Sequence, residues 1–206
     1  MLGSDIELKW NRKDLGGLDV AMTYVRNRKQ VVQAGGCLGV FPKAMSALFT
    51  TVYTFEPDVR LFRMMCQNVQ ETNVMMFQAA LGCRPHMVHT ECSLRPNDGK
   101  TVLHDGMTRT EPGGSDPVLR IDAFNFKELG LIYLDVEGDE FQALQGAQET
   151  LYRCRPTIAC EINRGIEYKG ETGEQLRSFL RQRGYSEVAK HRSDFIFRHD
   201  EMKEET

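Results

Sequence analysis

The chain has 206 residues, 41% apolar and 27% charged, which is the composition of a soluble globular protein able to bury one core of ordinary size. Its 26 basic and 29 acidic residues give a net charge of -3 with neither sign gathered into a block, which argues against a general nucleic-acid binder. No apolar run is long enough to cross a bilayer, and the amino end MLGSDIELKWNRKDLGG lacks an apolar leader core, so a cytoplasmic protein of one domain, residues 1–206, is expected.

An amino-terminal extension, 1–29, begins polar and then carries Leu18, Met22 and Val25 at helical spacing, enough to cover one edge of a core. VVQA, 31–34, reads as the first strand; a turn with Gly35, Gly36 and Gly39 follows, and Pro42 suits the first turn of a helix through KAMSALF. TVYTFE, 51–56, is β-branched and aromatic and reads as the second strand. Asp58 then stands where it can cap a helix over RLFRMMCQNVQET, with Leu61, Met64, Met65 and Val69 as the inward stripe.

A third strand is expected over VMMFQAAL, 74–81. From 82 to 117 the turn signals GCRP, RPNDGK, HDG and EPGGSDP predict a long excursion on the substrate side, with MVHTECSL and TVLHDG as short strand pieces. A surface loop without a role is the plain alternative. LIYLDVE, 131–137, is an apolar run ending in two acids, as a central parallel strand requires. The helix DEFQALQGAQETLYR, interrupted at Gly146, precedes a strand at TIACEI, 157–162; the helix EQLRSFLRQRG stops at Gly184, and YSEVAKHRSDFIFRH closes as two strands.

Together these elements predict an α/β fold, a Rossmann-like seven-stranded, mostly parallel sheet with helices on both faces. Ligands of such sheets sit beyond the carboxyl ends of the strands, near the switch of strand order. The residues at those ends are Gln33 to Gly39, Glu56, Gln78 to Ala80, Asp135 to Glu137, and Glu161.

The glycines lack both the dinucleotide spacing G-x-G-x-x-G and a following Gly-Lys-Ser/Thr, so the turn alone is a weak signal that a tight structural turn would also give. Glu56 sharpens it: an acid ending the next strand can accept two hydrogen bonds from a ribose diol. Asp135 and Glu137, two apart, share a side if the strand persists to its end, where paired carboxylates raise each other's proton affinity or attract a cation; the structural alternative is that they cap the next helix. Glu161 adds a third acid to that rim, and a divalent ion on these acids is a minor alternative to no metal at all. His86, His89 and His104 form no metal-site pattern. The six cysteines, Cys37, Cys66, Cys83, Cys92, Cys154 and Cys160, include no C-x-x-C pair and read as small buried thiols.

In this order the features resemble the class I S-adenosylmethionine-dependent methyltransferases, and among them the FkbM family. QAGGCLG resembles the family's D-x-G-x-N-x-G, keeping Gly35 and Gly39 but holding Gln33 for the acid and Cys37 for the asparagine. YTFEPD, with Glu56 and Pro57, resembles the ribose-binding segment; FQAALG, with Gln78, Ala79 and Ala80, resembles the adenine side. LRIDAF, YLDVEGDEFQALQGA and RPTIACEI are the most specific matches, and Tyr133 stands where the family usually carries a lysine.

The resemblance implies the class I methyltransferase fold, S-adenosylmethionine as cofactor, and O-methylation of a hydroxyl on a sugar or another small molecule. Gln33, Gly35, Gly36, Cys37, Gly39, Glu56, Pro57, Gln78, Ala79, Ala80 and Asp135 would bind the donor. Asp135, Glu137 and Glu161 would be catalytic, with Asp135 or Glu137 as the base. Gln33 and Cys37 imply weaker donor binding than the usual residues give, and leave open a donor-binding interaction protein without turnover. A nucleic-acid methyltransferase is a third reading, although no Asp/Asn-Pro-Pro-Tyr/Phe motif is present. Arg84, Arg95, Lys100 and Arg109 in the excursion would either serve an anionic substrate or only solubilise it.

Overall fold

The computed structural model describes residues 15–97 and 100–202, with side chains for all of them except 91–109, 164 and 202. The first half of the expected extension, and the side chains of Cys92, Arg95, Lys100, His104 and Arg109, therefore lie outside the described residues.

Seven strands form the main sheet: β1 (Gln30–Ala34), β2 (Thr51–Phe55), β3 (Val74–Phe77), β8 (Leu129–Leu134), β9 (Thr157–Glu161), β10 (Tyr185–His191) and β11 (Asp194–His199). Their order is β10-β11-β9-β8-β1-β2-β3. Neighbours from β9 to β3 run parallel, and β11 lies antiparallel between β9 and β10. Every residue of β8 is buried, because helices cover both faces of a central strand. Ile132 and Leu134 face one core with Val32, Ile158, Leu144, Leu151 and Leu180. Leu131 and Tyr133 face the other with Val31, Val52, Leu18, Met45 and Met65.

The helices are α1 (Gly16–Met22), α2 (Val40–Ser46), α3 (Val59–Asn68), α4 (Glu140–Gln145), α5 (Gln148–Cys154), α6 (Arg164–Tyr168) and α7 (Gly173–Arg181). Within the expected extension, Leu18 and Ala21 of α1 are buried against the sheet. Asp58 caps α3 by accepting from the amides of Arg60 and Leu61 at 2.8 and 3.2 Å. The capping box Thr172/Gln175 starts α7. None of the five described cysteines forms a disulfide.

Four elements differ from the sequence reading. The expected strand 74–81 breaks after Phe77, and Ala80–Leu81 (β4) leaves for a second sheet, pairing parallel with β7 (Asp116–Leu119). The expected irregular excursion is largely a long antiparallel hairpin, β5 (His86–Asn97) with β6 (Lys100–Pro112), in a sheet of order β4-β7-β5-β6. Its HDG, named as a turn signal, lies inside β6 at an irregularity of the pairing, between Leu103 opposite Leu94 and Thr108 opposite Cys92. RGIEY, not anticipated, forms α6.

The fourth difference is the expected single helix 139–153, which is two, α4 and α5. At Gly146 the chain meets the carbonyl of Gly82, and a Cβ there would lie 2.1 Å from that oxygen. Asp122, from a short 3-10 helix Ile121–Phe124, restarts the chain as α5 by accepting from the Glu149 and Thr150 amides at 3.2 and 2.9 Å and from the Thr150 hydroxyl at 2.8 Å. Asp122→Ala strands these donors and should lower the unfolding free energy by about 1–3 kcal/mol in urea titration, with Asp122→Asn recovering part of the loss.

Candidate active site

The order of strands reverses at β1, which has β2 on one side and β8 on the other. There the carboxyl ends close on each other. The Asp135 amide donates to the Ala34 carbonyl at 3.1 Å, and the Gly35 and Gly36 amides both donate to the Phe55 carbonyl, at 3.1 and 3.0 Å. Gly35 has φ +85°, and a Cβ on it would lie 1.9 Å from the Asp135 carbonyl oxygen, so no side chain fits.

These strand ends surround a cavity of about 250 Å3. Gly35, Gly36 and Cys37 form one wall; Glu56 and Pro57 form the next; Ala79, Ala80, Phe55 and Leu81 give an apolar side, and Asp135 and Glu137 close the far end. Such a pocket, mostly apolar with a few converging polar groups, suits a nucleoside. Glu56 is 2% exposed and ties two walls together: its oxygens accept from the Cys37 amide at 2.8 Å and the Asp58 amide at 2.9 Å. Burial pushes its carboxyl up to about 7, against the lowering effect of those amides, and the Asp58 charge adds to the rise. A carboxylate has about four acceptor positions, so two are left for a diol.

The structure does not bring every expected donor residue to this cavity. Gln33 is fully buried behind the turn: its amide donates to the Gly35 carbonyl at 2.9 Å and its oxygen accepts from the Thr54 hydroxyl. It braces the turn and does not line the cavity. Gly39 starts α2 one step behind, with φ +93°, and Gln78 lies in the break between β3 and β4; neither lines the cavity. Cys37 lines it at φ +44°, a left-handed conformation in which asparagine is enriched.

The acids at the far end meet by a route other than strand alternation. β8 stops at Leu134, and the chain then turns with Glu137 at φ +55° and Gly138 at φ +117°. A left-handed non-glycine residue costs roughly 1–3 kcal/mol, so the packing around it must hold it there. Asp135, Glu137 and Glu161 each bring a carboxylate oxygen to within 4.8 Å of the others, close enough to admit a hard cation. Glu161, at the end of β9, does not line the cavity; its carboxylate accepts from Asn163 Nδ2 at 2.6 Å. Burial first, and then the charges of Glu161, Glu137 and Asp194, push the Asp135 carboxyl from 3.8 up to about 7. Tyr133 donates its hydroxyl to Asp194 at 3.2 Å, and its own proton is held well above the usual phenol range by burial and the surrounding acids.

Sequence reasoning missed several residues at the site. Glu140 is buried at 1% exposure, and its oxygens accept from the Val136 and Gly138 amides, both at 3.0 Å. Burial pushes its carboxyl up to about 8. A second cleft of about 420 Å3 adjoins the first and shares Ala80, Leu81, Thr110 and Asp139 with it. Between them runs a strap: Lys169 donates to the Thr110 carbonyl at 2.6 Å and pairs with Asp139 at 3.4 Å, and the Thr110 hydroxyl donates to Asp139 at 2.5 Å. No short-range pattern joins residues 110, 139 and 169, so no sequence signal could have found it.

A family model, the methyltransferase FkbM domain, matches residues 50–187. The chain belongs to the FkbM methyltransferase family. The match spans Glu56, Asp135, Glu137 and Glu161 and begins after the turn that carries Gln33 and Cys37. Solved structures resemble the chain at low identity, and those with TM-scores of 0.50 and 0.53 share its fold. A methyltransferase FkbM from Methylobacillus flagellatus KT is 15% identical with a TM-score of 0.46; the match covers 82% of this chain but only 42% of that one. An rRNA methylase from Streptococcus thermophilus is 11% identical with a TM-score of 0.53, covering 92% and 96% of the two chains. SMU.1697c of Streptococcus mutans, solved in complex with S-adenosylhomocysteine, is 11% identical with a TM-score of 0.50, covering 91% and 96%. Among curated proteins no sequence match was found.

Two outcomes follow from the buried polar groups of this FkbM-family chain. Gln33→Asp removes the donor to the Gly35 carbonyl and buries a charge, so it should lower stability by about 1–3 kcal/mol in urea without tightening S-adenosylhomocysteine binding in calorimetry. The carboxyls of Glu56, Asp135 and Glu140 are raised to about 7, 7 and 8, so the folded state holds protons that the unfolded state has released. Stability should therefore fall as pH rises from about 5 to about 8 and level off above that. Asp135→Asn should make this fall shallower, leaving the variant more stable than the wild type at the alkaline end.

Proposed function

We propose that this chain binds S-adenosylmethionine in the cavity at the strand switch and transfers its methyl group to a hydroxyl of a small, polar acceptor such as a sugar. The observation that carries the reading is the placement of Glu56 and the Asp135/Glu137 pair at opposite ends of one cavity whose middle wall is the glycine turn. When bound, the donor supplies an electrophilic methyl on a positively charged sulfur.

In this reading Glu56 accepts from the ribose hydroxyls with the oxygen positions that Cys37 and Asp58 leave free. Ala79, Ala80 and Leu81 receive the adenine, and the carboxylates of Asp135 and Glu137 face the sulfonium and the acceptor. The acceptor lies in the second cleft, between the base of the hairpin and α4, and reaches the methyl past Thr110 and Asp139. Arg84, Glu111, Gln142 and Gln145 line that cleft with hydrogen-bonding groups suited to a polyhydroxylated molecule. Asp135 is the base: with its carboxyl near 7 it is substantially ionised at neutral pH and can accept the hydroxyl proton as the oxygen attacks. Holding the oxygen in line with the methyl and excluding bulk water supplies most of the remaining advantage. The mixed surface charge favours a small acceptor over a nucleic acid.

Titration with S-adenosylmethionine and S-adenosylhomocysteine, followed by mass-resolved screening of hydroxylated acceptors for the gain of one methyl, tests the reading; no donor binding would overturn it, and binding without turnover on any acceptor would point to an interaction protein. Glu56→Gln places an amide NH2 against one of two N–H donors and should weaken S-adenosylhomocysteine about tenfold or more, ~1.4 kcal/mol. On an accepted substrate, turnover should rise with pH through about 7, and Asp135→Asn should abolish that limb. Treatment with a chelator should leave the rate unchanged.

A further inference from the structure

Asp135 and Glu137 belong to neither strand nor helix, since β8 ends at Leu134 and α4 begins at Glu140. Their positions depend on whatever holds the five-residue loop between. On one side the loop is pressed against α6: a Cβ on Gly138 would lie 2.5 Å from the Gly165 carbonyl oxygen, and a Cβ on Gly165 would lie 2.7 Å from that of Glu137. On the other side there is Glu140.

Three observations set Glu140 apart from an ordinary first-turn acid. Besides its own amide, its partners are the amides of Val136 and Gly138, which precede the helix, rather than those of the helical residues that follow it. The Val136 and Gly138 amides take different oxygens, so both oxygens are engaged. The carboxylate is buried, and among the described residues no lysine or arginine pairs with it. A buried acid without a counter-cation is costly, and a glutamine would be cheaper there; but glutamine offers one oxygen to two donors. Successive amides turned to one side by left-handed residues make a concavity that suits an anion, and this one is filled from within the chain.

We infer that Glu140 is a positioning residue for methyl transfer: by taking the Val136 and Gly138 amides it holds the loop so that the Asp135 and Glu137 carboxylates face the donor cavity. The inference rests on the donor reading given above, because only there does the direction of those two carboxylates matter to a sulfonium charge. Glu140 itself touches neither donor nor acceptor and does not line either cleft.

The test compares wild type, Glu140→Gln and Glu140→Asp by amide hydrogen exchange and by calorimetric binding of S-adenosylmethionine and S-adenosylhomocysteine, which differ in the positive charge on sulfur. In Glu140→Gln the amides of residues 136 and 138 should exchange at least about tenfold faster while the β8 amides stay protected. Its affinity for S-adenosylhomocysteine should stay within about threefold of wild type, but the preference for the charged donor should shrink about fivefold or more, because that preference reads the two carboxylates. Glu140→Asp keeps both oxygens on a shorter arm and should recover part of each effect.

Unchanged exchange at 136 and 138, equal weakening of both ligands, or loss of protection through β8 would each overturn the inference, as would loss of cooperative unfolding in both variants. If wild type binds both ligands equally, the carboxylates do not face the sulfur and the inference fails. Should wild type bind neither, the donor reading falls by itself, and the exchange measurement still decides whether Glu140 holds the loop.

Discussion

The carbonyl of Asp135 occupies the volume that a side chain on residue 35 would need. That single close approach lets the ends of β1 and β8 meet, with the Asp135 amide on the Ala34 carbonyl. The glycine turn is then free to swing across to β2, where two of its amides share the Phe55 carbonyl, and the next residue, Glu56, reaches back to the Cys37 amide. The walls that end β8, β1 and β2 are thus bonded to one another, by backbone groups and by the Glu56 carboxylate. The parallel sheet supplies the convergence, and the missing Cβ supplies the room. Gln33, directly behind, holds the Gly35 carbonyl from the core side, which is why a fully buried amide sits between the apolar Val32 and Ala34.

How much of this was legible in the sequence depends on how local its cause is. The main sheet was legible because a parallel strand covered on both faces must be apolar throughout, as LIYL is, and because Asp58 stands one residue before the helix it caps. The sheet exchange at Gln78 was not, since Gln78 is the one polar residue in VMMFQAAL and a single polar residue also fits a continuous strand; the exchange is decided by Ala80 finding Val118. The hairpin was legible only as short strand pieces: His104-Asp105-Gly106 falls at an irregularity, between Leu103 opposite Leu94 and Thr108 opposite Cys92, beyond which the strand resumes. Glu56, Asp135 and Glu137 were found by their place at strand ends, although the last two meet through a left-handed turn and not through strand alternation. Gln33 was misplaced for the opposite reason. It occupies the position in the motif that a ligand-facing acid would hold, and only the packing of Thr54 beneath it shows that it points inward.

The same packing explains why so much negative charge collects at one end of the sheet. Asp135 feels Glu161, Glu137 and Asp194, and Glu140 feels Asp135; among the described residues no lysine or arginine is bonded to any of the acids Asp135, Glu161 and Glu140. Desolvation, with repulsion added to it, favours protonation, which is why the Asp135 and Glu140 carboxyls hold their protons to neutral pH. A protein gains nothing from such an arrangement in isolation, since every unit of raised proton affinity is stability forgone when the group ionises. It becomes reasonable where a positive charge comes and goes. On the proposed reading the sulfonium enters with that charge and leaves without it, so the acids favour the charged donor over its neutral product while the glycine turn and Glu56, which meet parts common to both, do not discriminate. On that reading the division of labour follows the chain: residues at the ends of β1 and β2 would meet what stays the same through the reaction, and the loop after β8 what changes.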